Sequence, residues 1–295
     1  MIGRMAGGRK DIVFQRREAV GIGLNGMGRR EIQPDAIQRG LRVLKGFSME
    51  IIRHGLNPED ATVLATSAFR NAANAESVLK EIQQATGLRP RIISGEAEAG
   101  LIFAGVYASG AVEEGVPALV MDIGGGSVEF ILWDGFKVSW KKSFEIGGLR
   151  LMEDFHQEDP LPLSKREALE AYIEDFLHPL WTECRKLSCL QLVGSSGSFD
   201  SLADVRNARG GITANPGRTF QQIAPNEFEA IFESLWHLPL EARLQVPGMT
   251  AYRAGMMAVA LILIRQVLKL SAASGISVSH YAMKEGALIH KFANA

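Results

Sequence analysis

The chain has 295 residues, 46% of them hydrophobic, enough to bury a large core in one large or two medium domains. Lys and Arg total 32 against 33 Asp and Glu, so no global charge marks a nucleic-acid or membrane-surface protein. Two cysteines, Cys184 and Cys189, are too few for a disulfide framework or a zinc site and read as unpaired thiols; with no continuous apolar leader, a soluble, cytoplasmic protein is expected.

Residues 1–30 carry Arg4, Arg9, Lys10, Arg16, Arg17, Arg29 and Arg30 against Asp11 and Glu18, which suits a solvated face as well as the rim of an anion site. A strand is predicted over 10–20 and a helix over 34–54, with Pro34 fitting its first turn. The strand 62–66 runs into ATSAFRN, delivering Thr66 and Ser67 at its end and Arg70 one helical turn later. Guanidinium is a natural bidentate partner for phosphate oxygens, although a surface arginine would read the same way. A helix over 74–86 and a strand over 90–94 lead to ISGEAEAGLIF, where Glu96 and Glu98 fall in the first turn of a helix over 96–108. The helix dipole favours acidic residues there in any case. A helix starting where a sheet strand ends also borders the usual ligand crevice of α/β folds, so a glutamate there could serve as general base.

The segment ASGAVEEGVP (108–117) reads as a linker. Strands follow over 117–123, 128–133 and 136–145. The first two flank DIGGGSVE: a buried strand delivers Asp122, three glycines follow, and Ser127 and Glu129 stand just beyond. Glycine reaches positive φ cheaply and has no Cβ to hold a ligand away, so Gly124, Gly125 and Gly126 could converge their N–H groups on a phosphate. A carboxylate beside phosphate is repulsive unless it holds a metal or orients water, which gives Asp122 and Glu129 a reason to be there. No GKS or GKT follows the loop, so it is not a Walker motif, and a strand rather than a helix comes next, so it is not a dinucleotide fingerprint.

A helix over 165–185 is predicted to open on a capping box of Ser164 and Glu167. The strand 190–194 runs into Gly194, Ser195, Ser196 and Gly197 at the head of a helix over 198–208, a second candidate phosphate cradle or a plain helix cap. Helices over 225–236, 250–270 and 281–293 and a strand over 276–279 close the pattern. The run AGMMAVALILI (254–264) is too short to span a bilayer and reads as a buried core helix.

The halves repeat one another. FKVSWKKSFEIGG (136–148) after a tight turn matches RKDIVFQRREAVGIG (9–23) after MAGG, and LQLVGSSGSFD (190–200) matches ATVLATSAFR (61–70). By that repeat the chain begins inside the second strand of its first unit, and no strand–glycine loop stands before Met5.

Together ATSAFRNAAN, ISGEAEAGLIFAGV, VMDIGGGSVEFI, FEIGG, VGSSGSFDSLAD and VSHYAMKEGAL resemble the exopolyphosphatase/guanosine pentaphosphate phosphatase family, in order over essentially the whole chain. The resemblance implies an α/β fold of two actin-like (ribonuclease H-like) domains with mixed five-stranded sheets flanked by helices and a cleft between them. Residues 1–112 would form the first, lacking its first strand and completed by the helix near 281–295, and residues 113–280 the second. It implies Mg²⁺-dependent hydrolysis of a terminal phosphoanhydride of polyphosphate, or of the 5′-phosphate of guanosine pentaphosphate, with Glu98 rather than Glu96 as the base. Asp122 and Glu129 would hold metal and water; Arg70, Thr66, Ser67, the glycine loop with Ser127, and Gly194 to Gly197 would bind phosphate. A homodimer is expected by family analogy.

Two departures stand out. The family's first phosphate loop, D-x-G-S/T-N, is missing, and Arg253-Ala254-Gly255 replaces Arg-Ala-Asp. Either a start codon lies about 20–25 codons upstream, or the protein has lost half its site. A non-hydrolysing sensor of guanosine polyphosphates is therefore the alternative, and a kinase reading is the weaker third.

Overall fold

A computed structural model describes residues 1–6, 9–188, 190–213, 215 and 217–293. An antiparallel hairpin, β1 (Ile2–Ala6) and β2 (Arg9–Phe14), comes first. Helix α1 (Pro34–Arg53) leads to strand β3 (Val63–Ala65), a single helical turn α2 (Ser67–Arg70), helix α3 (Ala75–Thr86) and strand β4 (Pro90–Ile92), parallel to β3. Helix α4 (Gly95–Ser109) then crosses to a larger sheet. Strands β5 (Ala118–Ile123), β6 (Val128–Trp133) and β7 (Val138–Phe144) form an antiparallel meander. Helices α5 (Gly148–Phe155), α6 (Leu163–Phe176) and α7 (His178–Cys184) precede strand β8 (Gln191–Ser195). Helix α8 (Ser196–Gly210), strand β9 (Phe220–Ile223), helices α9 (Pro225–Leu235), α10 (Leu240–Leu244) and α11 (Ala251–Ser271), strand β10 (Ile276–Ser279) and helix α12 (Met283–Ala293) follow.

The larger sheet runs β7-β6-β5-β8-β10-β9, with β5, β8 and β10 mutually parallel. It is mixed, as expected, but six-stranded, because β9 adds an antiparallel edge that the polar stretch FQQI does not advertise. In the first half the hairpin β1–β2 matches β6–β7, and the parallel pair β3–β4 matches β8–β10. Among the described residues nothing matches β5, the strand that joins hairpin to parallel pair, so two separate two-stranded sheets stand where the second half has one.

All residues of β5 and β6 are buried, the mark of strands covered on both faces. Alternation sends Ala118, Val120, Ile131, Trp133 and Val193 toward Ala99, Ile102 and Val106 of α4. The opposite face sends Leu119, Met121, Phe130 and Leu132 into a core shared with α6, α8, α9 and α11. Helix α11 is long and apolar enough, by length and composition, to cross a membrane. Its run Met256–Ile264 is instead enclosed in that core, at 3% exposure or less throughout. Helix α12 lies against α4 through two glycines. A Cβ on Gly286 would come within 1.8 Å of Leu101 O, and one on Gly105 within 2.1 Å of Ala282 O, so backbones touch where no side chain fits.

Several local expectations change. Strand 10–20 ends at Phe14, after which the chain turns irregular. Helix 165–185 is two helices, because Pro179 lies in the first turn of α7 and cannot continue α6. The capping box at Ser164 is absent: α6 starts at Leu163 on Pro162, with no side-chain cap. The Glu227 carboxylate instead accepts from the Ala224 N–H at 2.8 Å, at the head of α9. The segment 108–117 is no loose linker, since Ala111 and Val112 are buried and Gly115 N–H donates to Gly135 O at 2.8 Å. The short helices α5 and α10 were not foreseen. Cys184 is a buried free thiol, pushed up to about 12 by desolvation, and Cys189 lies outside the described residues.

Candidate active site

Asp122 at the end of β5 and Glu129 near the start of β6 are direct cross-strand partners. Opposed residues of an antiparallel pair share a face, and like charges so placed repel. Both are buried, on the face that α4 covers. Asp122 Oδ2 accepts from Ser195 Oγ at 2.6 Å and Ser196 Oγ at 2.7 Å. Glu129 Oε1 accepts from Ser127 Oγ and Ser143 Oγ, each at 2.7 Å. Burial raises the Asp122 carboxyl above the usual range against these hydroxyls. Glu129 is pushed up to about 8, chiefly by burial and then by the charges of Glu98 and Asp122.

Glu98 reaches the same place from the first turn of α4, which Ser94 caps by accepting the Ala97 N–H at 3.2 Å. Glu98 is buried, whereas Glu96 faces solvent. Burial raises the Glu98 carboxyl, opposed first by Arg70. An Arg70 terminal nitrogen lies 2.6 Å from Glu98 Oε2 and also donates to Ile93 O at 3.2 Å. Its second terminal nitrogen meets Ser127 Oγ at 3.3 Å and stands 3.8 Å from Glu129 and 3.9 Å from Glu145. Arg70, placed by α2 at the end of β3, thus holds together carboxylates from three separate stretches of chain.

The glycine loop works by space, not by left-handed backbone. None of Gly124, Gly125 and Gly126 has positive φ. A Cβ on Gly126 would come 2.6 Å from Ser67 Oγ, and one on Gly125 3.0 Å from Leu149. The loop carbonyls cap α5: Gly148 N–H donates to Gly124 O, Leu149 and Arg150 N–H to Gly125 O, and Gly147 N–H to Gly126 O, at 2.9–3.3 Å. In a trans peptide the N–H points opposite to the C=O. The amides of Gly125, Gly126 and Ser127 are therefore turned away from α5, and they have no acceptor among the described residues. Three adjacent amides on one side form a nest suited to an anion. Gly124 N–H is engaged at Ser127 O instead.

In the second glycine–serine stretch the serine hydroxyls are committed within the protein. Ser195 and Ser196 spend their hydroxyls on Asp122, with Ser196 held at φ +70. Gly194 leaves room for the Phe199 ring, and Gly197 for the Arg253 guanidinium, which would lie 2.0 Å from an added Cβ. Thr66 is the N-cap residue of α2 without a side-chain cap bond, and Ser67 Oγ donates to Glu145 Oε2 at 2.9 Å.

Three site residues escaped the sequence reading: Ser143, Glu145 and Arg150. Register could have found Ser143, since it pairs across β6–β7 with Glu129. Glu145 lies two residues on, where the alternation carries the same face. Arg150 donates to Glu145 at 3.1 Å and stands on the helix that the glycine loop caps. Among the described residues no three His, Cys, Asp or Glu side chains form a ready metal cage. Asp122 and Glu129 nonetheless suit a hard cation: both are buried oxygen donors, and they raise one another's affinity for a positive charge.

The Ppx/GppA phosphatase family matches residues 1–295. An exopolyphosphatase from Cytophaga hutchinsonii has the same fold, with a TM-score of 0.94 at 33% identity over 99% of this chain and 93% of that one. The PPX-GPPA enzyme of Aquifex aeolicus superposes with a TM-score of 0.78 at 23% identity, covering 98% of this chain and 93% of its own, a likeness of fold. A guanosine-5′-triphosphate,3′-diphosphate pyrophosphatase of Photobacterium profundum is 29% identical over 198 residues, 67% of this chain. The matched part spans 38% of that relative's length.

Proposed function

Since the chain belongs to the Ppx/GppA phosphatase family, we propose that it hydrolyses a terminal phosphoanhydride, of inorganic polyphosphate or of the 5′-phosphate of guanosine pentaphosphate. The observation that carries this reading is the convergence of Glu98, Glu129 and Arg70 beside a loop whose amides at Gly125, Gly126 and Ser127 lack acceptors. Those amides and Arg70 bind the oxygens of the terminal phosphate and hold it for in-line attack. Glu98, raised by burial, takes the proton of the attacking water. Arg70 must loosen its grip on Glu98 as it turns to phosphate, which frees the carboxylate when substrate arrives. Ser195 and Ser196 fix Asp122, and Ser127 and Ser143 fix Glu129. Asp122 and Glu129 would hold Mg²⁺, which when bound offsets the charge of the phosphates.

Replacing Glu98 by Gln keeps its shape and removes the base. Phosphate release from polyphosphate should fall by about 100-fold or more, with the melting temperature within a few degrees of wild type. Unchanged turnover would sink the assignment. Tight binding of guanosine pentaphosphate by the wild-type chain without phosphate release would instead favour a sensor.

A further inference from the structure

Glu145 stands at the mouth of the site, between β7 and α5, with 38% of its side chain exposed. Its Oε2 accepts from three donors: Ser67 Oγ at 2.9 Å, Asn71 Nδ2 at 2.8 Å and an Arg150 terminal nitrogen at 3.1 Å. Its Oε1 lies 3.9 Å from Arg70. Two guanidinium groups, a hydroxyl and an amide, drawn from α2, its C-terminal flank and α5, therefore surround one carboxylate. That is a donor set a phosphoryl group would use equally well. It also borders the glycine loop. Arg150 Nε reaches Gly126 O at 3.4 Å, and Ser67 Oγ is the atom that a side chain on Gly126 would strike.

We propose that Glu145 is an internal competitor for the phosphate site: in the free protein its carboxylate occupies Ser67, Asn71 and Arg150 and stands at ion-pair distance from Arg70, and it surrenders these groups to an incoming phosphate. The inference rests on the phosphate-binding reading above and adds a charge threshold to it. A singly charged group, such as a phosphodiester, brings no more charge to Arg70 and Arg150 than Glu145 already supplies. A terminal phosphate carries up to two charges near neutral pH and prevails. Glu145 thereby selects chain ends over internal phosphates. A carboxylate serving only to tie α2 to α5 would have no such effect, because its removal would loosen the donors and weaken every anion alike.

The test is calorimetric titration of the full chain with tripolyphosphate and, separately, with dimethyl phosphate. Wild type, Glu145→Gln and Glu145→Ala are compared, and melting curves are recorded with and without ligand. Glu145→Gln should bind tripolyphosphate about tenfold tighter, from removal of one like charge at the site. It should also acquire measurable affinity for dimethyl phosphate, and its ligand-induced rise in melting temperature should exceed that of wild type. Glu145→Ala should shift the same way, which guards against an effect peculiar to the amide. Equal or weaker binding in both variants, with melting intact, overturns the inference. Absence of tripolyphosphate binding in all three proteins overturns it together with the phosphate site. Tighter binding in the variants with no phosphate release from any of them upholds Glu145 as competitor and removes hydrolysis alone.

Discussion

The two halves of the molecule are built on one plan and differ in how firmly they hold it. In the second half, β5 is buried end to end and hydrogen-bonded to β6 on one side and β8 on the other. In the first, the hairpin β1–β2 and the pair β3–β4 are separate sheets, and the buried apolar cluster beneath α1 and α3 consists of Ile32, Ala36, Leu41, Val78 and Ile82. Asp122, Glu129 and the glycine loop thus sit on a rigid floor, while Thr66, Ser67 and Arg70 are carried by a lighter frame. The lighter frame is held to the floor largely by polar ties: Arg70 to Glu98, Ser67 and Asn71 to Glu145. Ties of that kind can be exchanged for ligand contacts, whereas a packed core cannot, so the exchangeable contacts lie on the side of the site that brings the arginine.

The sharpest way to break this comparison is native-state hydrogen exchange. Amides of β5 and β6 should open only with global unfolding, and those of β1–β2 and β3–β4 through local opening, at least about 100-fold faster. Equal protection in the two halves would show that the first-half strands share the stability of the large sheet. The next effect concerns α12, which borders both regions through α4. Gly286→Ala forces a Cβ toward Leu101 O and should cost about 3 kcal/mol, read as a lowered denaturation midpoint. A loss under about 0.5 kcal/mol would mean that the two helices can part without harm.

The same contrast decided what the sequence disclosed. Strands β5 and β6 were readable because nearly continuous apolar runs are needed wherever a strand is covered on both faces. Strand β9 was not, since an edge strand makes no such demand on FQQI. The carboxylates Asp122, Glu129 and Glu98 were found from their place beside glycines and at a helix start. Glu145 and Ser143 were passed over because they lie in the partly exposed strand-and-turn VSWKKSFE, where polar residues are ordinary. For the glycine triplet one of two expected reasons does not apply, since none of the three takes positive φ. A sequence signals that a side chain is missing, not whether backbone twist or a neighbouring atom forbids it, and here Ser67, Leu149 and the carbonyl of Ser127 do so.

A further effect lies in the rigid floor itself, where Glu129 faces Asp122. Its carboxyl is pushed up to about 8, against an unfolded value near the ordinary 4.5. Between those values the folded protein binds more protons than the unfolded chain, so stability must fall as pH rises through the window. In chelator-treated protein the melting temperature should therefore decline from pH 5 to pH 8, and Glu129→Gln, which cannot ionise, should flatten that part of the profile. Adding Mg²⁺ to wild type should restore stability most at the alkaline end, where the carboxylate is charged and can receive the cation, and least near pH 5. A profile that rises with pH, or one that Glu129→Gln leaves unchanged, would mean that the serine hydroxyls already stabilise the pair as ionised carboxylates and that the floor needs no cation to hold its shape.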